Sequence, residues 1–406
     1  MFSILSLSAQ NDFLFRGELN NSKTNEKIPW ASVYIKGTSV GVPSNEQGRF
    51  EFPIAYKHFT DSLIISALGY KPVGFLIEDL RKKAYHVLTL EEKIYQLNEV
   101  TIQSPDPAKI MTMAIANWDK NFYTAQYEFD GFYRQTQKEN EKYGKLWECA
   151  LRGLDNGYNT GKLTSVAVEY KQIRKSNDYR DSRTQWLIGF FKPQFIFTGE
   201  NHSRDKALIS KNVTKFIYKY ELDSILYLDN KAVYVISAKI KDEIKEFLFD
   251  ARFYIRADDY AFVQMDFDGK NKLEYVKPGG IPKGLKLKMT EYKSTYIFKE
   301  IEGKMFMYYL NVSAAFNWTD PQNKVIFQEE NSEVIIQNIH RLDKNEKTTV
   351  KQNFPKLAYG IPHSSYAPAF WGSYELVKQI PYAQGLMKDL QKDSSLEEQF
   401  IKNGSK

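Results

Sequence analysis

Cysteine is almost absent from this sequence. Cys149 is the only cysteine among 406 residues, so no disulfide can form within the chain and no zinc-finger set of cysteines and histidines can be assembled. We interpret Cys149 as a small apolar side chain in a core. The sequence therefore predicts neither a disulfide framework nor a structural zinc site, and we expect no cofactor.

Long apolar runs and long blocks of one charge are missing as well. No stretch reaches the ~18 apolar residues of a membrane-spanning helix, so we expect no transmembrane helix. The 56 basic and 50 acidic residues give a net charge of +6 and are mixed along the chain. This mixture is typical of a solvated surface, and it excludes the basic stripe of a nucleic-acid-binding protein.

The N-terminus is apolar but lacks a basic start. Its apolar run ends in small residues at Ser8 and Ala9, which is the pattern at the end of a secretory signal peptide. No cysteine follows the run, so a lipid-anchored lipoprotein is not expected. We interpret residues 1–12 as the remnant of a signal peptide, which predicts an exported protein.

Aromatic residues, in contrast, are abundant. The chain has 27 Tyr, 27 Phe and 6 Trp, together 15 % of its residues, within a total hydrophobic content of 42 %. Tyrosine and phenylalanine favour the half-buried surfaces of β-sheets. The length and the apolar content suffice for two or three domains with cores of their own, and we predict a mainly β protein.

Residues 37–41 fit G-x-S-x-G, the pattern around the nucleophile of many serine hydrolases. That motif needs a strand, a sharp turn and then a helix that carries the oxyanion amide. Gly41 is instead followed by Val42-Pro43, a polar turn up to Gly48 and a further strand, without helical periodicity. We interpret Ser39 as a turn or strand residue, and the match to the motif as chance.

Short alternating segments separated by turn residues predict an antiparallel β-sandwich over residues 13–103. Four motifs in this region resemble the carboxypeptidase-regulatory-like domain, a transthyretin-like β-sandwich. They are Gly37-Thr38 with Gly41, Asn45-x-x-Gly48-x-Phe50, Ile65-Ser66-Ala67-Leu68-Gly69-Tyr70, and Leu97-Asn98-Glu99-Val100-Thr101-Ile102. Asn45 departs from the family, which more often has Asp there, but both residues suit a turn.

The resemblance implies an interaction module in an envelope protein, since such domains stand at the N-terminus of many TonB-dependent outer-membrane receptors. It does not imply peptidase activity. A metallocarboxypeptidase would need a His-x-x-Glu pair with a later His, and none of the five histidines has Glu three residues on.

A boundary lies at Ser104-Pro105-Asp106-Pro107, because two prolines in three residues end a strand. Asp106 suits a helix N-cap, and Pro107 suits the first helical position. Apolar residues at helical spacing then predict one amphipathic helix from Pro107 to about Phe122. These residues are Ile110, Met111, Ala114, Ile115 and Trp118.

At least eight strands follow, with the sharpest alternation from Phe247 to Ile255 and predicted hairpins at Asp258-Asp259 and Glu302-Gly303. One apolar face predicts a large antiparallel sheet over residues 104–355, curled around the helix as a half-barrel. The pattern weakly resembles lipoprotein-carrier half-barrels of the LolA and LolB kind. That resemblance implies a concave face for an acyl chain or a peptide.

Residues 356–406 are predicted to form an extended tail and a C-terminal helix. Prolines at Phe354-Pro355, Ile361-Pro362 and Ala367-Pro368, followed by aromatics from Phe370 to Tyr374, indicate an extended strip that docks on the domain it wraps. Gln384 to about Phe400 is predicted as one surface helix with charges of both signs.

No motif predicts catalysis or metal binding. Gly279–Gly284 lacks the Lys-Ser/Thr ending of a phosphate-binding loop. Asp266-Phe-Asp268-Gly269-Lys-Asn271 resembles a calcium loop whose Gly comes two positions early, and we interpret it as a hairpin turn. Asp258-Asp259 and Glu329-Glu330 are adjacent pairs that point to opposite faces of a strand, so neither forms a glycosidase pair.

We therefore assign no catalytic, cofactor-binding or metal-binding residue. The hypothesis is an exported, non-enzymatic protein of a Gram-negative type envelope, periplasmic or associated with the outer membrane. Its second domain would bind a hydrophobic ligand such as a lipid, or another envelope protein. Two alternatives remain open. One is a hydrolase with dispersed residues, with His202 and Asp205 or His340 and Asp343 as candidates, and the other is a small outer-membrane barrel.

Overall fold

The structure, a computed structural model, describes residues 13–38, 40–45, 47–93, 105–158, 166–185, 193–198, 217–241, 249–269, 283–343, 345–351, 366–374, 382–383 and 385–404. Within them the chain divides into two compact units. The first reaches Gln96 and includes two later segments, Leu226–Lys231 and Ala369–Pro381. The second contains the remainder. The predicted signal-peptide remnant and the motif Leu97–Ile102 lie outside the described residues.

In the described part of the first unit, seven strands form two sheets. The strands are β1 (Phe13–Asn21), β2 (Ser32–Ile35), β3 (Gly41–Pro43), β4 (Arg49–Ile54), β5 (Ser62–Ser66), β6 (Val73–Leu76) and β7 (His86–Leu90), accompanied by a 3-10 turn (Tyr56–His58) and a short helix α1 (Ile77–Leu80). The sheet orders are β4-β1-β7 and β3-β2-β5-β6. All described pairings are antiparallel except that of β1 with β7, which is parallel and departs from the prediction.

The two sheets pack through one apolar core. Phe15 and Phe52 from the first sheet and Val33 and Ile65 from the second are all fully buried in this core. Along each strand, these buried residues alternate with more exposed ones. The apolar residues therefore form the inner face of both sheets. The predicted β-sandwich is confirmed.

Asn45 and Gly48 form the turn between β3 and β4. Asn45 Oδ1 accepts hydrogen bonds from the backbone N–H groups of Gln47 (3.0 Å) and Arg49 (2.9 Å). Gly48 has φ +68°, and a Cβ added there would lie 2.7 Å from the carbonyl oxygen of Leu19. The sequence therefore predicted this strand, turn and strand correctly.

Gly48 and Gly37 allow the steric and conformational costs of alanine to be separated. Both have positive φ, at +68° and +77°, but a Cβ on Gly37 would meet nothing within 4 Å. A left-handed backbone costs a non-glycine residue about 1–2 kcal/mol. We expect Gly37→Ala to lower the free energy of unfolding by that amount, and Gly48→Ala to lower it further. Urea denaturation measures both, and equal losses would contradict the steric account.

In the described part of the second unit, ten strands form one sheet. They are β8 (Tyr127–Glu139), β9 (Lys142–Asp155), β10 (Val166–Lys175), β11 (Tyr218–Leu228), β12 (Lys231–Ile240), β13 (Asp250–Arg256), β14 (Phe262–Asp268), β15 (Lys286–Ile301), β16 (Lys304–Thr319) and β17 (Val325–Arg341). Their order is β10-β9-β8-β17-β16-β15-β14-β13-β12-β11. The described pairings are antiparallel, so the predicted large antiparallel sheet is confirmed.

Two hairpins occur where turn residues predicted them. Glu302 (φ 48°) and Gly303 (φ 73°) connect β15 to β16, and both have the positive φ that a type I′ turn requires. Between β13 and β14, the Asp259 carboxylate accepts a hydrogen bond from the backbone N–H of Ala261 at 3.0 Å and pairs with Arg256. Local turn chemistry thus sets the register of both pairs.

Strand alternation gives the ten-stranded sheet two different faces. The apolar face is the one that bears the row Tyr133, Val334, Leu310 and Tyr296, which stand side by side on β8, β17, β16 and β15, each 0 % exposed. The polar face bears the adjacent row Arg134, Glu333, Asn311 and Thr295. Neighbouring residues of one strand therefore lie on opposite faces of the sheet, one apolar and one polar.

Two short helices precede the sheet, and the second packs on its apolar face. α2 (Pro107–Ala116) is capped by Asp106, whose side chain accepts a hydrogen bond from the Ala108 N–H at 3.0 Å, as predicted. Asn117 then interrupts the helix with φ −90° and ψ 6°, and α3 (Trp118–Asn121) follows, so the single predicted helix is two. Trp118 packs on Phe262 (ring centroids 5.7 Å apart). A further helix, α4 (Pro193–Thr198), was not predicted.

The C-terminal region differs from its prediction. Residues 354–365 of the predicted extended strip lie outside the described residues. A short helix, α5 (Pro368–Ser373), begins at the last proline of the strip. The predicted surface helix is two helices, α6 (Leu386–Leu390) and α7 (Leu396–Gly404), and both lie on the polar face against β9 and β10. Their apolar residues are buried with Tyr143 and Leu146: Leu386, Leu390, Leu396 and Phe400. Pairs of apolar residues four positions apart on each helix explain this docking.

Candidate functional site

A row of polar residues interrupts the apolar face. Gln137 of β8, Glu330 of β17 and Ala314 of β16 stand side by side, and Gln137 and Glu330 are each 1 % exposed. Gln137 Nε2 donates to Glu330 Oε1 at 2.6 Å, and Gln328 Nε2 donates to the same oxygen at 2.9 Å. Because Oε1 accepts two N–H groups, a proton on this carboxyl group resides on Oε2.

Two atoms of this row are buried without a partner. Glu330 Oε2 and Gln137 Oε1 make no hydrogen bond to any described residue, and the same holds for Ser294 Oγ on β15 of the same face. A buried polar group left unpaired costs about 1–3 kcal/mol. Such groups are rare in native proteins, and an ordered water, an ion or a ligand can satisfy them.

Two buried indoles fix the orientation of the glutamines. Trp318 Nε1 donates to Gln328 Oε1 at 2.6 Å, and Trp147 Nε1 donates to Gln135 Oε1 at 2.5 Å. An indole can only donate, so each amide must present its oxygen to the ring and its NH₂ group elsewhere. The Gln328 NH₂ group therefore points at Glu330, as its hydrogen bond requires.

Burial raises the pKa of Glu330 from 4.5 to about 8. Arg180 and Lys145 oppose this rise, but only in part, because both already pair with Asp178. Lys145 Nζ lies 3.1 Å and Arg180 Nη2 2.7 Å from Asp178 Oδ2. At neutral pH the Glu330 carboxyl group is therefore largely protonated and can donate a hydrogen bond.

This pKa has a consequence for stability. A carboxyl group whose pKa is higher in the folded than in the unfolded chain stabilises the fold below the unfolded value, and the contribution is lost as pH rises through the folded value. We expect the free energy of unfolding to fall by about 1.4 kcal/mol per pH unit from this group alone, between pH 4.5 and about 8. Denaturant unfolding of the wild type and Glu330→Gln over this window measures the difference.

Glu329→Gln is the matched control for that measurement. Glu329 is the adjacent residue on β17, but its side chain points to the polar face, is 41 % exposed and lies 3.9 Å from Lys138. Its replacement should leave the pH dependence close to that of the wild type. If Glu330→Gln has the same slope as the wild type, Glu330 is not protonated in the fold.

The polar face carries a buried ion network next to this row. Glu148 is 0 % exposed. Its two oxygens accept hydrogen bonds from Arg134 Nε and Arg174 Nε, each at 2.6 Å. Tyr382 covers the network, with its ring 4.6 Å from the Arg134 guanidinium carbon and its hydroxyl 3.3 Å from Glu148. Although burial alone would raise it, Arg174 and Arg134 hold the pKa of Glu148 below its ordinary value.

Removing one partner from this network should be costly. We expect Glu148→Gln to destabilise the protein by about 3–5 kcal/mol, because two buried guanidinium groups lose their counter-charge. Replacing Arg134, Glu148, Arg174 and Glu333 together by Met, Leu, Met and Gln should cost less than the single change. Glu333 is included because its Oε1 atom lies 3.6 Å from Arg134 Nη1, so it would otherwise keep a nearly buried charge without that partner. Thermal and urea unfolding compare the two variants. A quadruple variant less stable than Glu148→Gln would contradict this account.

Cys149 lies on the apolar face, opposite Tyr133 on β8 and Ile173 on β10. Its side chain is 0 % exposed, and burial raises the pKa of its thiol well above the ordinary value. The interpretation of Cys149 as a core residue is confirmed.

The sequence-derived catalytic candidates are not brought together in the described residues. Ser39, His202 and Asp205 lie outside them. His340 is 56 % exposed and binds Glu346, with its Nε2 atom 2.7 Å from Oε1, and Asp343 meets Glu346 only through its backbone N–H.

The structure describes only part of the two loops that the sequence analysis considered for calcium and phosphate binding. Asp266 and Asp268 belong to β14 itself, so the hairpin turn expected there is not formed by these residues, and Asn271 lies outside the described part. Of Gly279–Gly284, only the last two residues are described. No cluster of metal-ligating side chains occurs in the described ranges, and no helix in them is long and apolar enough to cross a membrane.

The sequence analysis did not identify Glu330 as a candidate residue. The prediction that Glu329 and Glu330 point to opposite faces is confirmed, but the difference in their burial was not foreseen. The signal was present in the alternation of Gln328, Glu330 and Ser332 with Val334 and Ile336 along one face of β17. Both faces of this strand carry polar residues, so alternation alone could not identify the buried one.

Comparison with known families identifies the first unit. Residues 15–102 match the CarboxypepD_reg-like domain, which confirms the predicted resemblance for this part of the chain. No curated protein matches the sequence.

Solved structures with remote similarity include two bacterial proteins. A DUF1329 family protein from Desulfovibrio piger has a TM-score of 0.28 and 11 % identity, covering 60 % of this chain and 95 % of its own. A LolA-superfamily protein from Nitrosomonas europaea has a TM-score of 0.24 and 12 % identity, covering 59 % and 95 %.

Lipovitellin, in a structure described by its lipid-protein interactions, has a TM-score of 0.25 and 9 % identity, covering 60 % of this chain and 28 % of its own. These likenesses are remote in sequence and in geometry. Function therefore has to be inferred from the side chains of the sheet itself.

Proposed function

We propose that this chain is an exported envelope protein without enzymatic activity, whose ten-stranded sheet binds a hydrophobic ligand on its apolar face. The first unit serves as an interaction module for another envelope protein. The observation that carries the proposal is the composition of the apolar face, where four neighbouring strands contribute large apolar residues in one continuous row.

Small side chains at the centre of this face support a binding role. Ala314, Ser332 and Ser294 stand between the aromatic row that contains Tyr133 and the row that contains Trp318. Hydrophobic sites in proteins are lined mainly by apolar and aromatic side chains with a few polar groups that orient the ligand. Glu330 and Gln137 supply such polar groups within this face.

The first unit offers a surface suited to a partner. Among the described strands, β7 lies at the edge of its three-stranded sheet, and two large apolar residues of this region are exposed, Tyr85 by 46 % and Val87 by 60 %. An edge strand presents unpaired backbone groups that can extend a sheet in another protein. The apolar start of the chain supports export.

Native mass spectrometry after incubation with a bacterial lipid extract tests ligand binding. We expect the wild type to retain lipid. Ala314→Leu places bulk at the centre of the apolar face and should reduce retention about tenfold or more, since overpacking of this kind costs about 1–3 kcal/mol. Circular dichroism and thermal unfolding verify that the variant is folded.

Ala315→Leu is the matched control. Ala315 adjoins Ala314 on β16 but faces Glu329 and Glu291 on the polar side, and it is similarly buried at 5 %. This variant should retain lipid as the wild type does. A wild type that retains no lipid would overturn the proposed function, and equal losses in both variants would place the ligand elsewhere.

A further inference from the structure

We propose that Glu330 and Gln137 form a polar subsite in the apolar face, which binds the amide group of an acyl-chain ligand. This inference rests on the proposed function and adds the chemistry of the ligand's polar group. It is carried by two buried, unpartnered atoms on adjacent side chains that are themselves joined by a hydrogen bond of 2.6 Å.

The hydrogen-bond inventory of the row defines what this subsite offers. Glu330 Oε1 is occupied by the NH₂ groups of Gln137 and Gln328, so the Glu330 proton lies on Oε2 and this atom is a donor. The NH₂ group of Gln137 already donates to Glu330, and the Gln137 Oε1 atom remains as an acceptor. The subsite therefore presents one donor beside one acceptor.

An amide complements this pair, because its carbonyl oxygen accepts from Glu330 and its N–H donates to Gln137. An ester fills only half of the subsite, since it has no donor. A carboxylate would place its lone pairs against the Gln137 oxygen. The nearest cations do not compensate for that, because Lys145 and Arg180 are already engaged with Asp178.

Two neighbouring features hold the subsite in place. The Trp318 indole holds Gln328 with its NH₂ group toward Glu330. Ala314, on the adjacent strand of the same face, contributes no more than a methyl group beside Glu330. Preorganised side chains of this kind reduce the entropy that a ligand must lose on binding.

Palmitamide, methyl palmitate and hexadecane separate the subsite from the apolar face as a whole. Trp318 lies next to the subsite, so quenching or shift of tryptophan fluorescence can report binding of each probe to the purified full-length protein. We expect all three to bind, with palmitamide about tenfold tighter than methyl palmitate, the factor that one additional hydrogen bond of about 1.4 kcal/mol makes.

Two variants assign this preference to Glu330. Glu330→Leu removes the donor and should bring the affinities for palmitamide and methyl palmitate together while hexadecane still binds. Glu330→Gln keeps an N–H donor at the same place and should keep the preference. The ratio of the two affinities is the readout, because a purely structural effect would change all three probes alike.

The pH dependence gives a second, independent readout. The charged or titratable groups that face Glu330 in the described residues are Tyr133 and Glu139 on β8, Lys145 on β9, Tyr292 on β15, and Asp178 and Arg180 after β10. Burial raises the pKa of Glu330 to about 8, and its ionised form has no proton to donate. The wild type should lose its preference for palmitamide above that pH, whereas Glu330→Gln should retain it.

The outcomes distinguish the subsite from the proposed function. Equal affinities of the wild type for palmitamide and methyl palmitate, unchanged in Glu330→Leu, would overturn the subsite and leave hydrophobic binding intact. A preference for palmitamide that persists in Glu330→Leu would also overturn it. Binding of none of the three probes would overturn both proposals.

Discussion

The register of the central strands is the constraint on which the second unit depends. β15, β16, β17, β8 and β9 are paired so that the apolar row of Tyr133 and the polar row of Arg134 lie one residue apart. A slip of one residue in β8 would carry Arg134 into the apolar face and Tyr133 out of it. The hairpin at Glu302-Gly303 and the buried pair of Arg134 with Glu148 oppose such a slip from two directions.

Two glutamates of this sheet show how partners decide the charge of a buried carboxyl group. Glu148 and Glu330 are almost equally inaccessible, at 0 % and 1 % exposed. Glu148 meets two guanidinium groups and is ionised at neutral pH, while Glu330 meets two amides and stays largely protonated. Burial penalises the charge in both cases, and only an opposite charge within contact distance offsets that penalty.

Local sequence was sufficient for features that depend on neighbouring residues. The turn of Asn45 with Gly48, the cap at Asp106 and the hairpin at Glu302-Gly303 all follow from a few adjacent side chains, and the sequence predicted each of them. The break at Asn117 was missed, because the apolar spacing continues from Ala114 to Trp118 without a proline or glycine to mark it.

The candidate site could not be predicted in the same way. Gln137 and Glu330 are 193 residues apart in the chain, and the burial that gives Glu330 its chemistry comes from strands remote in sequence. The docking of the last helices could not be predicted either, because Tyr382, which covers Glu148, is 234 residues away from it in the chain. Sequence patterns identified the sheet and its two faces, but not which polar residues of those faces would be enclosed.

The cover of the ion network has a consequence for the order in which this sheet can be completed. Arg134 and Glu148 are 14 residues apart on one hairpin, whereas Tyr382 and Glu148 are separated by 234 residues. On the ribosome, the pair can therefore form long before its cover is synthesised. Until residues 382–404 arrive, the polar face over β9 and β10 stays open to water, and its apolar residues Tyr143 and Leu146 lack the helices that cover them. Completion of this face is therefore a late event of synthesis.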